Sequence, residues 1–104
     1  MYARVSTIKT GVQAIDGAIR HFKDVTLPKV RPLRGFRGAT LLADRESGIT
    51  RALTYWDSRE ALDASAEAAN RVRAEFVEKT GAAEIISVEV FEVAVQEVSA
   101  GAAS

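Results

Sequence analysis

Few side chains in this sequence are suited to chemistry, and they lie far apart. Arg4 interrupts an alternating apolar stretch, His21 borders an apolar helical stripe, and Trp56 ends a second alternating stretch. Asn70 and Arg73 stand on or beside another helical stripe. Histidine is the side-chain type best suited to take or give a proton at neutral pH, so His21 is the default acid/base. A guanidinium in an apolar setting needs a counter-charge, so Arg4 or Arg73 would steady a carboxylate or phenolate. The Trp56 ring offers a flat wall to an aromatic ligand. Each residue also has a purely structural reading. Arg4 would form a salt bridge to an acid from the second half of the chain, and Arg73 would lay its stem on the core with its head in water. Trp56 would plug a helix–sheet joint, and His21 would be an edge histidine with no mechanistic role.

Other chemistries are excluded by what is missing. With no cysteine there is no disulfide, no thiolate nucleophile and no Cys-based zinc or iron–sulfur site. Nothing spaces His, Asp and Glu as a metal cluster, so no metal and no cofactor are expected. Gly35-Phe-Arg-Gly38 lacks the following helix that a phosphate-binding loop requires. Lys and Arg balance Asp and Glu at 14 each, but residues 1–52 hold ten bases and four acids and residues 53–104 the reverse. Two halves of opposite charge packing together, or across a dimer, explain this better than a nucleic-acid partner, for which no motif is present. No apolar run approaches the roughly 20 residues of a membrane span. The N-terminus lacks the apolar region of a signal peptide, so a cytoplasmic protein without membrane partners is expected.

The elements that must position these residues follow from periodicity. "YARVSTIK" (2–9) alternates, which predicts a strand with Ala3, Val5 and Thr7 on one face and Tyr2, Arg4, Ser6 and Ile8 on the other. From Val12, Ile15, Ala18, Ile19, Phe22 and Val25 recur at helical spacing, and Pro28 kinks this helix or begins its last turns. Phe36–Ala43 and Ile49–Trp56 read as the arms of a hairpin around "DRESG". Asp57 or Ser58 caps a second helix, with Glu60 completing a capping box, and Leu62, Ala66, Ala69, Val72, Phe76 and Val77 form its apolar face up to Gly81. "AEIISVEVFEVAVQEV" is a last strand whose apolar phase slips near Val90–Phe91, which predicts a β-bulge there or a strand serving two partners.

The order strand, helix, strand, strand, helix, strand predicts an α+β, ferredoxin-like βαββαβ sandwich. It comprises one domain over residues 1–98, with a flexible tail at 99–104. Helices cover one sheet face only, yet apolar residues fall on both, as in the adjacent pairs Leu41–Leu42 and Tyr55–Trp56. A second copy packing sheet on sheet would cover the other face, so a homodimer is expected.

With its element order, "LPKVRPLRGFRGATLLADRESG" and "YWDSREAL", the chain resembles the antibiotic biosynthesis monooxygenase-like domains of the dimeric α/β-barrel superfamily. The resemblance implies a homodimer with a ligand pocket between helices and sheet. It also implies either cofactor-independent oxygenation of a small aromatic or polyketide-like substrate or a non-catalytic small-molecule-binding or structural role. On that implication His21 and Arg4 are the candidate catalytic residues, and Trp56, Phe22, Asn70, Arg73 and Phe76 line the pocket. Some members degrade heme with an Asn, a Trp and a His, but Arg4, Ser65 and Glu75 occupy those places here.

Overall fold

The computed structural model describes residues 1–82 and 84–99. Strand β1 spans Tyr2–Lys9, β2 Phe36–Asp44, β3 Ile49–Trp56 and β4 Glu84–Glu92. They form one antiparallel sheet in the order β2-β3-β1-β4. This is the ferredoxin-like arrangement the element order predicts. The predicted tail lies outside the described residues except for Ser99.

The first helical segment is built in pieces. A 3₁₀ turn at Val12–Ala14 leads into α1, Ile15–His21. A π-helical turn at Phe22–Thr26 follows, and then α2, Leu27–Val30, with Pro28 in its first turn. Pro28 has no N–H to donate, and its ring crowds the carbonyl four residues back. The wider turn just before it relieves that contact, and the Leu27 N–H reaches the Phe22 carbonyl. Pro28 thus begins the last turns of the helix, one of the two outcomes its position predicts.

The hairpin closes as its sequence suggests. Asp44 Oδ1 accepts from the Glu46 and Ser47 N–H groups, and Gly48 supplies a φ of 77°. The second helical segment is α3, Arg59–Ala64, and α4, Ala66–Thr80, separated at Ser65. Ser58 Oγ caps it by accepting from the Ala61 N–H at 3.0 Å, so the predicted box with Glu60 is not formed. Gly81 ends α4 with a φ of 73°.

In β4 the bulge falls elsewhere than predicted. Thr7 pairs with Ser87 and Ile8 with Ile85, so Ile86 is the extra residue. Pairing with β1 fixes the register, and Val88 and Val90 then oppose Ser6 and Arg4 while Phe91 opposes Ala3 on the other face. The apparent slip at Phe91 is an outward-facing apolar residue close to the end of β4.

Ile8, Ala18, Phe22 and Phe76 form the buried cluster between sheet and helices, with Leu27, Ala39, Leu41, Ala52 and Val77 packed on it. β4 lies at an edge, and Ile85, Ile86, Val88 and Phe91 are exposed along it. Among the described residues no helix is long and apolar enough to cross a membrane.

Candidate functional site

Alternation along β1 aims Arg4, Ser6 and Ile8 at the helices, and the same pleat in β3 aims Ala52 and Thr54 there. Phe22, Thr26 and Val30, at intervals of four, descend from the first helical segment, and Ala69, Val72, Arg73 and Phe76 from α4. Together they line a half-open cavity of about 60 Å³. Its walls are almost wholly apolar, and its only ionisable groups are the two arginines.

Arg4 is 6% exposed and lines the cavity. It donates to the Leu62 carbonyl at 2.9 Å and to Ser65 Oγ at 3.1 Å. Its guanidinium carbon lies 5.9 Å from the centre of the Trp56 ring. The expected salt bridge is therefore replaced: the cation is met by dipoles at the interruption between α3 and α4. Ser65 Oγ also donates to the Leu62 carbonyl at 2.7 Å, which ties the interruption together. Burial lowers the Arg4 pKa, the charge of Arg73 lowers it further, and Asp63 partly restores it.

Arg73 enters from α4. Its Nε donates to Ser6 Oγ at 3.0 Å and its Nη1 to Asn70 Oδ1 at 2.8 Å. Burial lowers its pKa as well. Among the described residues the ion pairs are Lys29–Glu75, Arg45–Asp16 and Arg59–Asp63, so neither cavity arginine meets a carboxylate. Thr26 is 6% exposed, and its hydroxyl has no partner among the described residues.

Of the residues singled out from sequence, Arg4, Arg73, Phe22 and Phe76 line the cavity. Three do not. Trp56 is 1% exposed and plugs the joint between β3 and α3, edge-on to Phe36, with its indole N–H donated to Thr54 Oγ1 at 3.0 Å. Asn70 stands on the exposed side of α4, where it serves only to hold Arg73. His21 packs edge-on against Phe76, one side chain away from the cavity, and its Nε2 is buried without a partner among the described residues. Sequence reasoning missed Ser6 and Thr26. The signal for Ser6 was its place two residues after Arg4 on one strand face; that for Thr26 was the spacing Phe22, Thr26, Val30. Among the described residues no group of three His, Cys, Asp or Glu side chains is placed to hold a metal.

This architecture recurs in solved proteins. The chain superposes on the heme degrader MhuD of Mycobacterium tuberculosis with a TM-score of 0.74 and 23% identity, covering 94% of this chain and 100% of that one. It matches the monooxygenase ActVA-Orf6 of Streptomyces coelicolor, solved with the ligand nanaomycin D, with a TM-score of 0.69, 16% identity and coverage of 95% and 92%. A Deinococcus radiodurans protein classed with the antibiotic biosynthesis monooxygenases gives a TM-score of 0.67 at 12% identity, covering 96% and 98%. The chain therefore has the fold of the antibiotic biosynthesis monooxygenase-like proteins. No family model matches it. In sequence it is 37% identical over 81 residues, 78% of its length, to the uncharacterized protein Rv2557 of Mycobacterium tuberculosis strain H37Rv. The chain spans about a third of that relative, 36%.

Proposed function

We propose that this chain is a monooxygenase-like protein whose helix–sheet cavity binds a small aromatic substrate as its anion. The observation that carries this reading is Arg73, a guanidinium on an apolar cavity that meets no carboxylate among the described residues, while Arg4, its donors held by Leu62 and Ser65, adds positive charge only. Nearby positive charge favours ionisation of a phenol, so water suffices as the proton acceptor. The phenolate then supplies the electrons to dioxygen. One oxygen atom enters the ring to give a quinone, and the other leaves as water. The role of the chain is to stabilise the anion and exclude bulk water. His21 does not line the cavity, which supports assigning proton removal to water.

Oxygen uptake with a panel of phenols and dihydroxyaromatics tests the reading. Consumption that falls when Arg73 is replaced by Met supports it; no consumption with any member defeats the oxygenase assignment. A second reading, a non-catalytic binder of the same ligands, is favoured by one observation: the cavity lining has no side chain suited to general acid or base work. Ligand binding without oxygen uptake would select it.

MhuD binds heme, but the residues here do not suit that group. A cavity of about 60 Å³ has room for about four waters, far short of a tetrapyrrole. Glu75, at the place of the heme-ligating His, is paired with Lys29 at 2.6 Å on the surface.

The homodimer belongs to the same proposal. Leu42 and Phe91 are about half exposed on the sheet face away from the helices, beside the half-buried Val5, Leu53 and Tyr55. A second copy of the sheet would cover them. Sedimentation should give a dimer that Phe91→Lys dissociates, and a wild-type monomer at micromolar concentration would refute it.

A further inference from the structure

We propose that Val72 is a specificity-determining residue of this cavity: its side chain divides the cavity from a larger groove outside it and so limits the ligand to a single aromatic ring. This rests on the cavity's binding an aromatic anion, as argued above, and adds the size of that anion and the residue that sets it.

Two hollows share the seam between α2 and α4. The inner one is the cavity of about 60 Å³. The outer one is a half-open groove of about 380 Å³ lined by Lys29, Leu33, Ala68, Arg71, Val72 and Glu75. Of these six residues only Val72 also lines the cavity. Helix geometry puts it there. At about 3.6 residues per turn, Ala68, Arg71 and Glu75 share one side of α4, and Ala69, Arg73 and Phe76 share the next. Val72 falls on the border between the two sides, and it is half-buried. The opposite wall divides in the same way, with Val30 on the cavity and Lys29 and Leu33 on the groove.

The size of the inner hollow fixes what fits. One water fills about 15 Å³ of such a cavity, so 60 Å³ corresponds to about four waters. Four waters occupy about 120 Å³ of liquid at roughly 30 Å³ each, which is the room of one six-membered ring and its substituents. A fused second ring has no space inside and meets the valine on its way to the groove. Interiors are close-packed, so a partition of even two methyl groups is felt. The helices on either side are tied at the surface by the Lys29–Glu75 pair at 2.6 Å. A surface pair of this kind is weak, which leaves the bulk of Val72 as the stronger limit.

The probes are benzoate and 2-naphthoate, which carry the same carboxylate and differ by one ring, with binding followed by calorimetry. The wild-type protein should bind benzoate at least tenfold more tightly than 2-naphthoate, since misfit of a single carbon in an apolar pocket is worth about 10–200-fold. Val72→Ala joins the cavity to the groove, and alanine favours the helix, so the variant should fold. It should raise the affinity for 2-naphthoate relative to benzoate by about tenfold or more. Glu75→Gln loosens the seam without removing the partition and should keep the wild-type ratio. Wild-type binding of the two probes within tenfold overturns the proposal. So does a smaller shift in the Val72→Ala ratio, a uniform loss of both probes included, and either result leaves the anion cavity standing. Admission of 2-naphthoate by Glu75→Gln also overturns it, because the limit then lies in the spacing of the helices. Failure of both probes to bind the wild-type protein overturns the cavity reading and Val72's role with it.

Discussion

The cavity lining carries two arginines put to opposite uses. Arg4 is sealed between Trp56, Ser65 and the Leu62 carbonyl, and its donors are turned toward the protein. Arg73 is half-buried and steadied by Ser6 and Asn70. Arg4 stabilises the chain by joining β1 to the break between α3 and α4. Arg73 spans from α4 to β1 without a backbone partner for its guanidinium among the described residues. A cation on an apolar wall is therefore not evidence of a binding site until its partners are counted.

The contrast predicts that stability is concentrated around Arg4 and Trp56. Trp56→Ala should cost the most, about 3–5 kcal/mol in chemical denaturation, because a 1%-exposed indole is removed from a closed joint. A loss under 1 kcal/mol would show that the joint collapses freely. Arg4→Met should follow at about 2–3 kcal/mol, since it leaves the Leu62 carbonyl and Ser65 without a charged donor. Gly35→Ala, beside the same joint, should cost about 2 kcal/mol. Its φ is 82°, and a Cβ there would lie 2.4 Å from that of Ala61. Arg73→Met should change stability by less than about 1 kcal/mol yet weaken binding of an aromatic anion such as benzoate roughly tenfold or more. If Arg73→Met instead unfolds the chain, the distinction between the two arginines disappears.

The smallest effect lies at the β2–β3 turn and serves as a control. The Asp44 carboxyl is held below its ordinary pKa by the Glu46 and Ser47 N–H groups. Its contribution to stability is present above the ordinary carboxylate pKa and is lost as pH falls through the lowered folded value. Asp44→Asn should flatten that acid limb slightly, with no change in ligand binding. Equal acid profiles for the two proteins would remove Asp44 from the account.

Much of this was legible along the chain. The hairpin limits, the turn at Gly48, the stop at Gly81 and the face on which Arg4 lies all follow from alternation and turn chemistry, which act over a few residues. The partners of Arg4 were not legible, because Leu62 and Ser65 are 58 and 61 residues away. Nor was the exclusion of His21, whose helical stripe placed it at an edge without saying that Phe76 would stand between it and the cavity. The β4 bulge was misplaced because register depends on the strand alongside, and the phase of β4 alone did not contain it.

The sequence by itself determined the order of the elements, the apolar faces and the turns, because propensity and periodicity are local. Only the tertiary structure decided which polar atoms found partners. That depends on which distant backbone dipoles come within about 3 Å of a side chain, and packing alone sets such distances. Arg4 found its partners in this way, at a break between two helices that no local pattern in β1 contains.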